Sequence, residues 1–162
     1  MNTQPIQTFR NGFTLMEVLV TLAIIAILAT MATPIALNAA KKQKEAELKQ
    51  ALTEIRKAID TYKADADTGR IAKLNTESHY PRSLPELANG VPDEKNPGKK
   101  IFYLRQIPRD PFFKNKEVAP EKTWGLRNSQ SPRDNPQPGD DVFSVYSTSP
   151  DKGLNGIPYK DW

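Results

Sequence analysis

The chain has 162 residues, a net charge of +4, no cysteine and a single histidine, His79. Without thiols it can form no disulfide, zinc–thiolate site or cysteine nucleophile, and one histidine excludes a His-rich metal centre. Its lysines and arginines are interspersed with acids rather than gathered into the basic patch that nucleic acid requires, so no nucleic-acid partner is expected.

The first element is apolar. After a short polar stretch, residues 1–12, whose only charged side chain is Arg10, comes Gly12-Phe13-Thr14-Leu15-Met16-Glu17, and then Val18–Ala40 without a charge. A helix of that length reaches roughly 35 Å, enough to cross a bilayer core. Ala23, Ala26, Ala29, Ala32 and Ala36 offer small surfaces for close helix packing. Pro34 predicts a kink around Thr30–Pro34, because proline removes a backbone hydrogen bond and crowds the preceding turn. Glu17 at the mouth of the span is costly to insert, about 2.5 to 3.5 kcal/mol for a central acid, and calls for a cationic partner. A cut between Gly12 and Phe13 creates one: the new amine at Phe13 lies i, i+4 from Glu17, in its own chain or in an adjacent copy.

From Asn38 to about Ala66 the pattern turns amphipathic. Leu48, Leu52, Ile55, Ile59 and Tyr62 recur at helical spacing, with Lys49, Glu54, Arg56, Lys57, Asp60 and Lys63 on the other faces. Glu45 and Lys49 are spaced for an i, i+4 ion pair. Gly69 is placed to close the helix. Residues 70–100 read as a connection, broken by a short helical turn with Ser83 as N-cap and Pro85 in its first turn. Beyond it, the strand candidates are Trp124-Gly125-Leu126 and Val142–Ser147. In the second, Val142, Ser144 and Tyr146 alternate with Phe143, Val145 and Ser147. Most of the fourteen prolines and eight glycines fall after Thr68, which predicts a loop-rich C-terminal half.

Gly12-Phe13-Thr14-Leu15-Met16-Glu17 followed by an apolar helix resembles the type IV prepilin signal, shared by pilins and the pseudopilins of type II secretion. Tyr80-Pro81 with Leu84 and Leu87, Ile107-Pro108-Arg109-Asp110-Pro111-Phe112, Trp124, Asp141–Ser147 and a close with Gly153, Asn155, Gly156, Pro158, Tyr159 and Trp162 are similar to the G-type pseudopilins. The resemblance implies an α+β fold: a long N-terminal helix, half membrane and half amphipathic, packed on a small antiparallel sheet with a loop-rich C-terminus. It divides the chain into a leader (1–12), a transmembrane and assembly helix (13–40), an amphipathic helix (41–68) and a loop-rich sheet region (69–162). It implies cleavage at Gly12/Phe13 by a prepilin peptidase, N-methylation of Phe13, and Glu17 as the guide to subunit addition.

Its implied partners are other copies in a helical homopolymer, minor pseudopilins, the inner-membrane secretion platform and membrane lipid. The soluble part would lie in the periplasm, although Lys41, Lys42 and Lys44 at the far end of the span argue for the reverse by the positive-inside rule. Many G-type pseudopilins also hold calcium in the C-terminal loop. The residues offered here are Asp151, Asn155 and Asp161, with fewer acids than that loop usually supplies. Assembly itself requires no cofactor. No Gly-rich phosphate loop, nucleophile elbow or ligand cluster suggests an enzyme. The alternatives are a type IV or competence pilin, and a membrane-anchored periplasmic binding module with an uncleaved anchor.

Overall fold

The computed structural model describes residues 12–72 and 78–162, without the side chains of residues 31–36. The leader expected over 1–12 therefore lies outside the described residues, apart from Gly12. The chain forms two units, Met1–Ala40 and Lys41–Trp162. One helix, α1 (Leu15–Asp67, 53 residues), contributes to both.

In the first unit every described large apolar side chain from Phe13 to Leu28 is exposed, from 44 % at Val18 to 82 % at Phe13. These side chains point to all sides of the helix, which therefore has no polar face. Among the described residues no helix is long and apolar enough to cross a membrane. The span expected over Val18–Ala40 includes residues 31–36, where the kink expected near Pro34 falls and whose side chains lie outside the described ones, while residues 37–40 continue α1 as exposed helix.

In the second unit the expected stripe is the core. Leu48, Leu52, Ile55, Ile59 and Tyr62 are at most 2 % exposed, and Ala51, Ala58 and Ala66 fill the gaps between them. The helix ends as Gly69 foretells. Gly69 takes φ +65°, its N–H donates to the Ala66 carbonyl at 3.1 Å, and the Arg70 N–H reaches back to Asp65 at 2.8 Å. This Schellman arrangement satisfies the last carbonyls with a residue that has no Cβ to clash.

Helix α2 (Leu84–Asn89) buries Leu84 and Leu87 against the same core. Ser83 stands at its N-cap with extended backbone, but its hydroxyl makes no capping bond. The Glu86 carboxylate in the first turn reaches back and accepts the Arg82 N–H at 3.1 Å, tying the residue ahead of the cap to the helix.

The expected single sheet is divided into two ribbons. Strands β1 (Val91–Pro92) and β2 (Lys100–Ile101) pair antiparallel within a stretch expected to be mostly connection. Strands β3 (Trp124–Arg127) and β4 (Ser144–Ser147) pair antiparallel, with Trp124 opposite Ser147 and Arg127 opposite Ser144. Val145 and Ser147 are the buried face of β4, as the alternation predicts. The strand starts two residues late, because the Val142 N–H bonds the Pro81 carbonyl at 2.7 Å and draws Val142 itself into the core.

Asp110 organises the loop before β3. It is 1 % exposed, accepts the Phe112 N–H at 2.8 Å and the Ser147 hydroxyl at 2.6 Å, and donates its own N–H to Thr123. Trp124 locks the same loop by donating Nε1–H to the Pro108 carbonyl at 2.8 Å.

Candidate functional site

The N-terminus of α1 is built by Thr14. Its Oγ1 accepts the Glu17 N–H at 3.2 Å, and its carbonyl accepts the Val18 N–H at 3.2 Å. Thr14 is thus an N-cap with an acid at the third helical position, half of a capping box. The Thr-x-x-Glu spacing is a sequence signal for this cap that the expectations built on Gly12, Phe13 and Glu17 leave out. The Glu17 carboxylate lies in the first turn, where the helix dipole favours a negative charge. Among the described residues it forms no ion pair. Phe13 is exposed, directly ahead of the cap. Gly12 has no positive φ, and a Cβ there would meet nothing within 4 Å. Among the described residues, therefore, nothing crowds position 12.

Of the three residues expected for calcium, Asn155 and Asp161 line one cavity and Asp151 does not. Asn155 Oδ1 is engaged by the Ile157 N–H at 3.0 Å. Asn155 and Asp161 line one cavity of about 370 Å³, but they share it with Lys49 and Arg56, whose charges repel a cation, and Asp151 is not among its walls. Among the described residues no three His, Asp or Glu side chains form a metal-holding group. The set offers calcium two carboxylates and one amide that do not share a single cavity.

Side chains of α1 hold the tail in place. Lys41 Nζ donates to the Lys152 carbonyl at 2.8 Å. Glu45 accepts the Leu154 N–H at 2.8 Å and the Tyr159 hydroxyl at 2.9 Å. Arg56 Nη2 donates to the Val145 and Trp162 backbone oxygens at 3.0 and 2.6 Å. The pairing of Glu45 with Lys49 is thereby corrected. Glu45 is buried, and the tail satisfies it, while Lys49 lies over the Trp162 ring, 4.6 Å from its centroid. Tyr159, fully buried, stacks on Phe112 at 4.1 Å and meets Trp162 edge-on at 5.0 Å. Burial, then the bond to Glu45, pushes the Tyr159 hydroxyl pKa well up.

A capped apolar helix running into a small α+β unit is a pilin-like architecture. Residues 8–33 match the family described as the prokaryotic N-terminal methylation motif. The type II secretion system core protein G of Pseudomonas aeruginosa is 31 % identical over 103 residues, covering 64 % of this chain and 68 % of that protein. The core protein G of Vibrio cholerae is 30 % identical over 110 residues, 64 % of this chain and 66 % of its own. That of Dickeya chrysanthemi is 24 % identical over 162 residues, 91 % and 95 % of the two chains. No solved structure matches significantly. The chain belongs to the type II secretion system core protein G family.

Proposed function

We propose that this chain is the structural subunit of a type II secretion pseudopilus, acting by assembly rather than catalysis. The observation that carries the reading is the first unit of α1. Its apolar side chains are exposed all round, and each is worth roughly 1.5 to 3 kcal/mol once covered. Such a helix is stable only inside lipid or among other helices of its kind. Both environments are used in sequence. The precursor waits in the inner membrane with its C-terminal unit in the periplasm. A prepilin peptidase removes the leader between Gly12 and Phe13, and the helix then moves from lipid into a bundle of copies. Among the described residues nothing crowds Gly12, which supports a glycine demanded by the peptidase.

Glu17 selects the register of that bundle. Its carboxylate is uncompensated among the described residues, and in a low-dielectric bundle an unpaired charge is strongly unfavourable. The methylated amine of Phe13 on a neighbouring copy supplies the missing cation. Minor pseudopilins and the inner-membrane platform complete the machine that moves proteins outward.

Mass spectrometry of the mature N-terminus tests the processing step: a methylated Phe13 is expected, and an intact Met1 would overturn the reading. Glu17→Ala is expected to leave cleavage unchanged and to abolish or strongly reduce fibres seen by electron microscopy. Fibres of normal yield from that variant would remove Glu17 from the mechanism.

A further inference from the structure

A cavity of about 360 Å³ lies between the α1 side chain Arg56, the β3–β4 ribbon and the chain end. Its walls include Arg56, Arg127, Arg133 and Lys160, against the single acid Asp161. A carboxylate at Trp162 would pair Arg56, whose Nη2 is 2.6 Å from the Trp162 oxygen, and would leave Arg127, Arg133 and Lys160 facing Asp161. Among the described residues none of those three cations forms an ion pair. Arg127 spends Nε and Nη2 on the Ser131 carbonyl, both at 3.2 Å, and lies over the Phe143 ring. Arg56 spends Nη2 on two backbone oxygens, and its buried Nε has no acceptor. These bonds fix both guanidinium groups in place, and the bonds of Arg127 go to a neutral carbonyl that leaves its charge uncompensated.

We propose that this cavity is a binding site for an oxyanion, carboxylate or phosphate. Fixed guanidinium groups suit planar and tetrahedral oxyanions, because their N–H groups can engage two oxygens at once. Gathering like charges in a partly enclosed space raises the free energy of the empty site, and an anion relieves it. The effect is visible on Arg56, whose pKa is lowered by burial and then by the charge of Arg133. Arg133 and Lys160 are exposed, so they can approach a ligand without disturbing the core.

The test is calorimetric titration of the full-length chain in non-ionic detergent. Sodium succinate and sodium phosphate are the probes, each at ionic strength held constant with sodium chloride. Saturable binding that weakens roughly tenfold or more in Arg133→Gln, and further in Arg133→Gln/Lys160→Gln, is expected. Saturation by succinate alone assigns the site to a carboxylate, and by phosphate alone to a phosphate group. Saturation by neither probe, or binding equally tight in both variants, overturns the proposal.

Discussion

Asp110 shows how much one buried carboxylate can hold. Phe112 N–H and the fully buried Ser147 hydroxyl both donate to it, so its removal orphans two donors on two segments. A hydrogen bond to a charged group is worth about 1.5 to 3 kcal/mol, and an unmet buried donor is as unfavourable. Asp110→Ala is expected to destabilise the full-length chain by about 2 to 3 kcal/mol in urea unfolding monitored in mild detergent, with Asp110→Asn losing less. Equal stability of wild type and Asp110→Ala would show that water replaces the carboxylate. The sequence made this role legible, because Asp followed by Pro-Phe is turn chemistry. It did not reveal Ser147 as the partner, since 37 residues separate the two. Glu45 was misread for the same reason. Local spacing offered Lys49, but burial made the tail the stronger partner.

At the level of elements, the helices were the most legible and the strands the least. A periodic stripe states which face of α1 is buried without naming what covers it. Strands of two residues, such as β1 and β2, are too short to show any period. Gly125 explains why β3 was visible mainly through Trp124: a Cβ at Gly125 would meet the Tyr146 ring at 2.3 Å, so the ring of the opposite strand lies where a side chain would be. Gly125→Ala is expected to cost about 1 to 3 kcal/mol through overpacking and strand displacement. Gly125→Ala combined with Tyr146→Ser should recover most of the thermal stability, and no recovery would locate the strain elsewhere. The tail is the second element with a clear consequence. Lys41, Glu45 and Arg56 hold it by direct bonds, so we expect EDTA to leave its Tm unchanged, whereas Glu45→Gln should loosen the tail to limited proteolysis. A rise in Tm on adding calcium would contradict the poor fit of Asp151, Asn155 and Asp161, because a ligand that binds only the folded state must stabilise it.

Across the whole second unit, three tyrosine hydroxyls tie different parts of the fold to acids. Tyr159 in the tail bonds Glu45 of α1, Tyr103 after β2 bonds Asp65 at the end of α1, and Tyr62 of α1 faces Glu86 of α2 at 3.4 Å. Each phenol is harder to ionise in the fold. For Tyr62, burial leads and the charge of Glu86 follows, pushing its pKa up to about 12. Tyr103 is raised by burial and by its bond to Asp65. A folded-state pKa above the unfolded value, near 10, means that the unfolded chain gives up its protons first as pH rises. Stability from these three groups is therefore complete below pH 10 and is lost from there upward, through about 12 for Tyr62. Thermal unfolding between pH 8 and pH 12 should show a plateau and then a fall of about 5 °C or more beginning near pH 10. Tyr62→Phe should make the fall shallower, because a phenyl ring keeps the packing and has no proton to lose. A fall that began near pH 8, or one of equal steepness in the variant, would assign the alkaline limit to groups other than these tyrosines.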